Sequence, residues 1–186
     1  MGDHVLLVGM MGAGKTTVGL PLAALMRRPF HDSDAEIHAW TGKSVPEIFA
    51  SRGEAAFRAE ERAVLARALC SDVPAVVAVA GGAVFDPDSR RRMRRGGVIV
   101  WLRARPDTLA RRVGRGEGRP LLQVDPSGTL ARLDSVRRPL YRSLSDVRVD
   151  VDGLSPEEIA LRTLRAVNCL FSRREAFRPE SSLGPW

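Results

Sequence analysis

The chain has 186 residues, and its 29 basic against 22 acidic side chains give a formal charge of +7 at neutral pH. This length suits one domain, and a composition of 44% hydrophobic and 27% charged residues excludes a disordered chain. The longest apolar stretch, residues 73–85, is interrupted by proline and glycine and is too short to cross a bilayer. We therefore expect a globular protein with no membrane partner.

The N-terminal region and the cysteines indicate a cytoplasmic protein. An apolar run begins at Val5 without a basic leader, which disfavours a secretory signal. Two cysteines, Cys70 and Cys169, are too few for a disulfide framework or a zinc site. We expect both to be buried free thiols in a reducing compartment.

The positive charge gives little support for nucleic-acid binding. Only Lys15 and Lys43 are lysines, so nearly all basic residues are arginines. The densest arginine cluster, residues 90–95, has no interleaved aromatic residues, and it follows a helix-start signal. A solvated helix face explains it better than a nucleic-acid footprint, so we expect no nucleic-acid partner.

In chain order, the hydrophobic pattern alternates between strands and helices. Apolar runs predict strands at residues 4–8, 30–32, 76–80, 98–102 and 147–151. Helical spacing and capping signals predict helices over residues 15–28, over 45–70 in two segments, in a stretch ending near 141, and over 156–171. This alternation predicts an α/β fold whose five-stranded parallel sheet has helices on both faces. Ligands of such sheets bind beyond the carboxyl ends of the strands.

Residues 9–16 form the most specific motif. They read Gly-Met-Met-Gly-Ala-Gly-Lys-Thr, which fits G-x-x-x-x-G-K-S/T between a predicted strand and a predicted helix. The glycines let backbone N–H groups surround phosphate oxygens, and the helix N-terminus adds a positive dipole. Lys15 can then reach the β- and γ-phosphates, and the Thr16 hydroxyl can ligate Mg²⁺. The motif predicts that the chain binds a nucleoside triphosphate.

Two acidic residues, Asp32 and Asp34, follow the predicted second strand. Side chains two positions apart in an extended chain point the same way, so both carboxylates would face the phosphates. One could hold Mg²⁺ through water while the other accepts a proton from a hydroxyl group. The alternative is that both are surface residues without a role in chemistry.

Three further segments carry weaker signals. Arg58 and Glu61 share a helix face, where an exposed ion pair is the ordinary explanation. Gly81-Gly82 closes a strand and marks either a turn or a place where a ligand approaches the backbone. Residues 114–120 are rich in glycine and arginine, as expected of a mobile lid that excludes water and stabilises a transferring phosphoryl group.

Together these segments resemble the shikimate kinase family, small P-loop enzymes that use ATP to phosphorylate the 3-hydroxyl of shikimate. The resemblance extends from about Val5 to Leu170. Besides the motifs above, it includes Thr41-Gly42-Lys43-Ser44, Ile48-Phe49, Gly53-Glu54, Phe57-Arg58, Gly81-Gly82-Ala83-Val84, Arg119-Pro120-Leu121-Leu122 and Arg137-x-Pro139-Leu140-Tyr141.

The resemblance implies one domain over residues 1–171, with a flexible tail at 172–186. Within the domain, it implies a substrate-binding helical insertion at about 32–62 and a lid at about 112–124. It also implies a monomer whose partners are the small molecules ATP and shikimate, with Mg²⁺ as cofactor.

The resemblance further implies a role for each matching residue. ATP would be bound by Gly12, Ala13, Gly14, Lys15, Thr16, Thr17, Arg112, Arg119 and Pro156. Shikimate would be bound by Asp34, Arg58, Glu61, Gly81, Gly82 and Arg137. The catalytic residues would be Asp34 as the base, Lys15 and Arg119. Mg²⁺ would be held by Thr16 and, through water, by Asp32.

Two positions depart from the family pattern or leave it ambiguous. The family usually has three glycines where this chain has Ala80 before its glycine pair. Alanine would perturb a site that needs positive φ or close substrate approach there, whereas a methyl group is tolerable if the position has ordinary strand geometry. The resemblance implies that Arg58 and Arg137 clamp the carboxylate of shikimate. Because Arg138 follows Arg137, the second arginine of this clamp is ambiguous by one residue, although the R-x-P-L-Y register favours Arg137.

Two other functions stay open at this point. The first is a related kinase that acts on gluconate or an uncharged cyclitol. Arginines suited to a carboxylate argue against the cyclitol but not against gluconate. The second is a nucleotide-binding module without catalysis, which would have to retain its apparent catalytic residues for no reason.

Overall fold

The computed structural model of the chain describes residues 3–114 and 126–176. Most of the predicted lid, including Arg119, and the last ten residues of the predicted tail lie outside these ranges. Within them, no helix combines the length and the apolar character needed to span a membrane.

A parallel β-sheet with helices on both faces forms the domain. The strands are β1 (His4–Val8), β2 (Phe30–Asp32), β3 (Val76–Ala78), β4 (Gly97–Arg103) and β5 (Val147–Asp150). The helices are α1 (Lys15–Met26), α2 (Ser33–Thr41), α3 (Val45–Leu69), α4 (Pro87–Gly96), α5 (Pro106–Val113), α6 (Pro126–Leu144) and α7 (Pro156–Ala176), with a short 3₁₀ turn at Ala83–Phe85. The strand order is β2-β3-β1-β4-β5, and each strand pair is parallel. The predicted fold class is confirmed.

The central strand β1 lies between β3 and β4 and is buried along its whole length. Its residue Leu7 is in register with Ala78 on one side and Val100 on the other. An uninterrupted apolar run suits this position, because helices cover both faces of the sheet. The chain crosses from one side of β1 to the other after β3, so the carboxyl end of β1 is the switch point at which such sheets bind ligands.

The segment after β2 differs from its prediction. Asp32 ends the strand, and α2 begins at once with Ser33, so Asp32 and Asp34 do not lie on one extended segment. The Asp32 carboxylate accepts hydrogen bonds from the backbone N–H groups of Asp34 at 3.0 Å and Ala35 at 3.3 Å. These bonds satisfy donors in the first turn of α2, and Gly42 in the left-handed region (φ 66°) ends the helix.

The break in α3, the end of α7 and the exposure of the two cysteines each bear on a prediction from the sequence. The predicted break within residues 45–70 is present, because Gly53 (φ 76°) interrupts the helical geometry of α3. Helix α7 continues to Ala176, past the predicted end at residue 171 and into the predicted tail. The prediction of buried thiols is wrong, since Cys70 and Cys169 are free but exposed.

The first residue of β1, His4, joins the sheet to the loop that precedes β3. It is 4% exposed, its Nδ1 accepts from the Ala75 N–H at 3.1 Å, and its Nε2 lies 3.1 Å from the Ser71 carbonyl oxygen. Because Nδ1 accepts, the ring is neutral and its proton is on Nε2. Burial lowers the pKa of His4 below its ordinary 6.5, and the positive charge of Arg28 acts in the same direction.

We expect this arrangement to lose stability in mild acid. As the pH falls through 6.5, the unfolded chain binds a proton on His4 before the folded chain does, so the free energy of unfolding falls. The loss should be about 1 kcal/mol, because each pH unit below the unfolded pKa is worth ~1.36 kcal/mol for a group that stays neutral in the folded state. Urea unfolding at pH 7.5 and 5.5 would measure it in the wild type and in His4→Asn, which keeps an acceptor but cannot titrate. An equal loss in both proteins would assign the pH dependence to other groups.

Candidate active site

An open cleft of about 770 Å³ lies at the carboxyl ends of β1, β2 and β3. Most of the residues that the sequence assigns to nucleotide, metal or substrate line it: Gly12, Gly14, Lys15, Thr16, Thr17, Asp32, Asp34, Arg58, Glu61, Gly81, Gly82, Arg112, Arg137 and Pro156. Ala13, a residue of the motif itself, is buried and does not line the cleft. Arg119 lies outside the described residues. The structure thus brings together residues that are more than a hundred positions apart in the chain.

The phosphate-binding loop joins β1 to α1. Gly12 (φ 82°) and Gly14 (φ 93°) have backbone conformations that residues with a side chain rarely adopt. This explains why glycine occupies both positions. Gly14 precedes the first turn of α1, which has no side-chain cap and no acidic residue. The N–H groups of that turn and the positive end of the helix dipole are therefore available to an anion.

The last two residues of the motif, Lys15 and Thr16, both line the cleft. The Lys15 ammonium donates to the Gly9 carbonyl at 3.1 Å, which holds it across the loop. The Thr16 hydroxyl donates to the Asp32 carboxylate at 2.5 Å. Asp32 therefore has one oxygen on the phosphate-binding loop and the other on the first turn of α2.

A partly buried ion pair, Arg58–Glu61, forms another wall of the cleft. Arg58 donates to the Glu61 carboxylate at 2.6 Å and to the Glu54 carboxylate at 2.8 Å. Glu61 is 3% exposed, and burial raises its pKa while the Arg58 charge offsets part of that effect. The sequence alone predicts an exposed ion pair at these positions. In the structure the pair is partly buried and preorganised, and Arg58 lines the cleft.

The glycine pair after β3 makes room for two arginines. A Cβ on Gly82 would collide with the Arg58 guanidinium and come within 2.7 Å of Glu61 Oε2. A Cβ on Gly81 would come within 2.9 Å of Arg137 Nη1. Neither glycine has positive φ, so close approach of side chains, not backbone strain, requires glycine at these positions.

Arg137 of α6 reaches the same wall from another direction. It is 2% exposed, its guanidinium lies 5.4 Å from the centre of the Phe85 ring, and it has no carboxylate within 4 Å among residues 3–114 and 126–176. Arg138, in contrast, pairs with Asp134 on its own helix at 2.5 Å. Of the two arginines, Arg137 lines the cleft and Arg138 does not, so Arg137 is the better candidate for contact with a substrate.

The departure at Ala80 is compatible with this backbone. Ala80 is buried, lines the cleft and does not have positive φ. A methyl group is therefore accommodated without the strain that a left-handed conformation would impose.

The far end of the cleft is built from α5 and the loop after β5. The Arg112 guanidinium donates to the Gly12 carbonyl at 3.5 Å and to the Val151 carbonyl at 3.4 Å. It thus links the phosphate-binding loop to the segment that leads to Pro156, and Leu154 adds an apolar surface beside it.

Several apolar residues of the cleft were not predicted as site residues. Val45, Phe49 and Phe57 form a wall in which the two phenylalanine rings lie 5.0 Å apart. Their helical spacing is that of an ordinary core, so periodicity does not mark them as site residues, although Phe49 and Phe57 belong to segments that carry the family resemblance. Their position becomes evident only when the kink at Gly53 folds the two parts of α3 around the cleft.

A glycine-rich phosphate-binding loop at the switch point of a parallel sheet defines this chain as a P-loop nucleotide-binding protein. The family model for shikimate kinase matches residues 11–168. A shikimate kinase from Pseudomonas syringae pv. tomato is 42% identical over 162 residues, which cover 87% of this chain and 94% of the relative. The chain belongs to the shikimate kinase family.

Solved structures agree with this assignment. The shikimate kinase from Acinetobacter baumannii in complex with shikimate has a TM-score of 0.87 at 35% identity, with 94% of this chain and 96% of that chain covered. A gluconokinase from Sinorhizobium meliloti has a TM-score of 0.58 at 21% identity. The second likeness is one of fold alone.

The hydrogen bonds that Asp32 accepts from the backbone of α2 give a prediction about stability. Asp32→Ala removes the cap of α2 and should lower the free energy of unfolding by about 1 kcal/mol. Asp32→Asn keeps an acceptor oxygen and should cost much less, although it removes the negative charge beside Thr16. Urea unfolding of the two variants separates the cap from the charge. Equal stability of both variants would show that the cap contributes nothing.

The close approach at Gly82 gives a prediction about binding. Gly82→Ala should displace the Arg58–Glu61 pair, because its methyl group would occupy their space. The loss of a charge-assisted contact to the acceptor should raise the KM for shikimate about tenfold or more. The KM for ATP serves as the control, since the nucleotide loop lies on the other side of the cleft. An unchanged KM for shikimate would mean that the wall tolerates the methyl group.

Proposed function

We propose that this chain transfers the γ-phosphoryl group of ATP to the 3-hydroxyl of shikimate, giving ADP and shikimate 3-phosphate. The observation that carries the proposal is that one cleft combines two unlike kinds of surface. It is lined both by a phosphate-binding loop and by two arginines with apolar residues. Membership of the shikimate kinase family and the likeness to a shikimate-bound relative support the same reaction.

The arginine wall suits an acceptor that carries a carboxylate. Arg137 is a buried cation that forms no direct ion pair among the residues that the structure covers, and its charge is balanced only from a distance by Glu61, so it remains open to an anionic partner. Arg58 is held by Glu61 and presents its guanidinium to the same space. A carboxylate bound by both would compensate the charge of Arg137, and guanidinium groups offer it a planar fork.

Asp34 is the residue we assign as base. It lies in the first turn of α2 and lines the cleft, its backbone N–H is bonded to Asp32, which contacts Thr16, and its charge acts on Glu61, the partner of Arg58. We propose that its carboxylate orients the acceptor hydroxyl and takes up its proton as the oxygen attacks phosphorus. The Val45, Phe49 and Phe57 wall would exclude water from this encounter and leave the acceptor as the nucleophile.

The phosphates of ATP fit the loop and the start of α1. The N–H groups of the first turn and the Lys15 ammonium would hold the β- and γ-phosphates and stabilise the charge that spreads over the transferring group. Arg112 and Pro156 would border the adenine. Arg119 is assigned to the lid that closes over the phosphates, by family resemblance alone.

The residues beside the loop also suit a magnesium ion. A hydroxyl and a carboxylate, those of Thr16 and Asp32, lie within 2.5 Å of each other, and oxygen donors of this kind are the ligands that Mg²⁺ prefers. We propose that Thr16 ligates the ion directly and that Asp32 does so through water. When bound, Mg²⁺ would neutralise phosphate charge during transfer.

We further propose that the enzyme acts in the cytoplasm as a monomer, with ATP and shikimate as its partners and without nucleic acid or membrane. The gluconate alternative shares the carboxylate but is supported only by a likeness of fold. The non-catalytic alternative would leave Asp34 and the two arginines without a function.

The deciding experiment is ATP turnover with Mg²⁺, measured by coupled ADP release, with shikimate, gluconate or an uncharged cyclitol as acceptor. We expect strong stimulation by shikimate alone. Asp34→Asn should lower kcat by about 10²–10⁴-fold, the usual contribution of a general base, and should leave ATP binding intact. ATP binding without stimulation by any acceptor would contradict the proposed reaction. Equal losses of turnover and ATP binding in Asp34→Asn would remove Asp34 from the role of base.

A further inference from the structure

Two buried polar atoms near Gly81, Arg137 Nε and the Tyr141 hydroxyl, form no hydrogen bond of acceptable geometry in the described part of the chain, although the Arg137 guanidinium lies close enough to the phenol to affect its pKa. Arg137 is 2% exposed, and Tyr141 is fully buried. Buried polar groups are nearly always hydrogen bonded, because an unpaired one loses its solvation without compensation. Two such atoms one helical turn apart therefore indicate a role beyond packing.

Both side chains approach Gly81, which lines the cleft together with Arg137, whereas Tyr141 lies behind them in the core. Residues four apart share one face of α6, and a Cβ on Gly81 would lie 2.9 Å from Arg137 Nη1 and 3.9 Å from the Tyr141 hydroxyl. The Tyr141 ring stacks on Trp101, with ring centroids 6.0 Å apart. This stacking and the complete burial fix the direction of the hydroxyl.

The phenol of Tyr141 stays neutral. Burial raises its pKa to about 12, and the positive charge of Arg137 opposes that shift. A neutral phenol can accept a hydrogen bond from a guanidinium and still has its own proton to donate. Packing against Trp101 needs only the ring, so phenylalanine would serve equally well if packing were the only purpose of this residue.

We propose that Tyr141 is a positioning residue for the acceptor. Its hydroxyl accepts a hydrogen bond from the Arg137 guanidinium as that group turns to the acceptor's carboxylate, and this bond directs the outer N–H groups at the carboxylate. The inference rests on the proposed function, because it requires Arg137 to bind the carboxylate of shikimate.

Kinetics of two variants test the inference and the proposed function separately. Tyr141→Phe keeps the ring and removes the hydroxyl, so we expect the KM for shikimate to rise roughly three- to tenfold, as for loss of one hydrogen bond. The KM for ATP and the thermal midpoint should not fall outside the wild-type range. An unchanged KM for shikimate, or an equal rise in both KM values, would overturn the positioning role.

Arg137→Lys is the companion variant, since it keeps the charge but loses the planar fork. It should raise the KM for shikimate more than Tyr141→Phe does. If Arg137→Lys has the wild-type KM, the proposed carboxylate clamp fails. If only Tyr141→Phe has the wild-type KM, the clamp stands and the positioning role fails.

A spectroscopic measurement on the unmodified sequence completes the test. Tyr141 is the single tyrosine of the chain, so ¹³C labelling of tyrosine Cζ gives one resonance that reports on this hydroxyl alone. Shikimate should shift that resonance in the wild type and shift it less in Arg137→Lys, whereas ATP should have little effect. A resonance that does not respond to saturating shikimate would contradict the proposal.

Discussion

All strands of the sheet are parallel and the central ones are buried, so the loops at their carboxyl ends meet at one edge. This arrangement of the strands determines where the cleft lies. It puts the loop after β1 beside the acidic residues after β2 and the glycine pair after β3, although these segments are far apart in the chain. The helices then bring the arginines to the same edge, with α3 supplying Arg58 and α6 supplying Arg137.

Much of this architecture could be predicted because it depends on local chemistry. The apolar run of β1, the loop at residues 9–16 and the start of α7 all carry short-range signals, and each lies where the sequence places it. Helix α2 was missed because Asp32 and Asp34 were interpreted as an extended pair. The signal was present: an acidic cap followed by acidic first-turn residues and a terminating glycine at Gly42.

The remainder of the site depends on contacts that no local pattern encodes. The choice between Arg137 and Arg138 follows from Asp134, which holds one arginine on the helix surface and leaves the other to the cleft. The glycines at 81 and 82 could be marked as places of close approach, but the groups that approach them come from α3 and α6. The apolar wall around Phe49 is likewise assembled only by the bend in α3.

The hydrogen bonds of Asp32 have a consequence for how the two halves of the cleft communicate. One carboxylate oxygen is engaged by Thr16 at the nucleotide side, and the other fixes the first turn of the helix that carries Asp34. A rotation of this single side chain would therefore break the contact with Thr16 and remove the support of the first turn of α2 at the same time. The phosphate-binding loop and the helix that carries Asp34 are thus coupled through one carboxylate, so a displacement of either one is transmitted to the other.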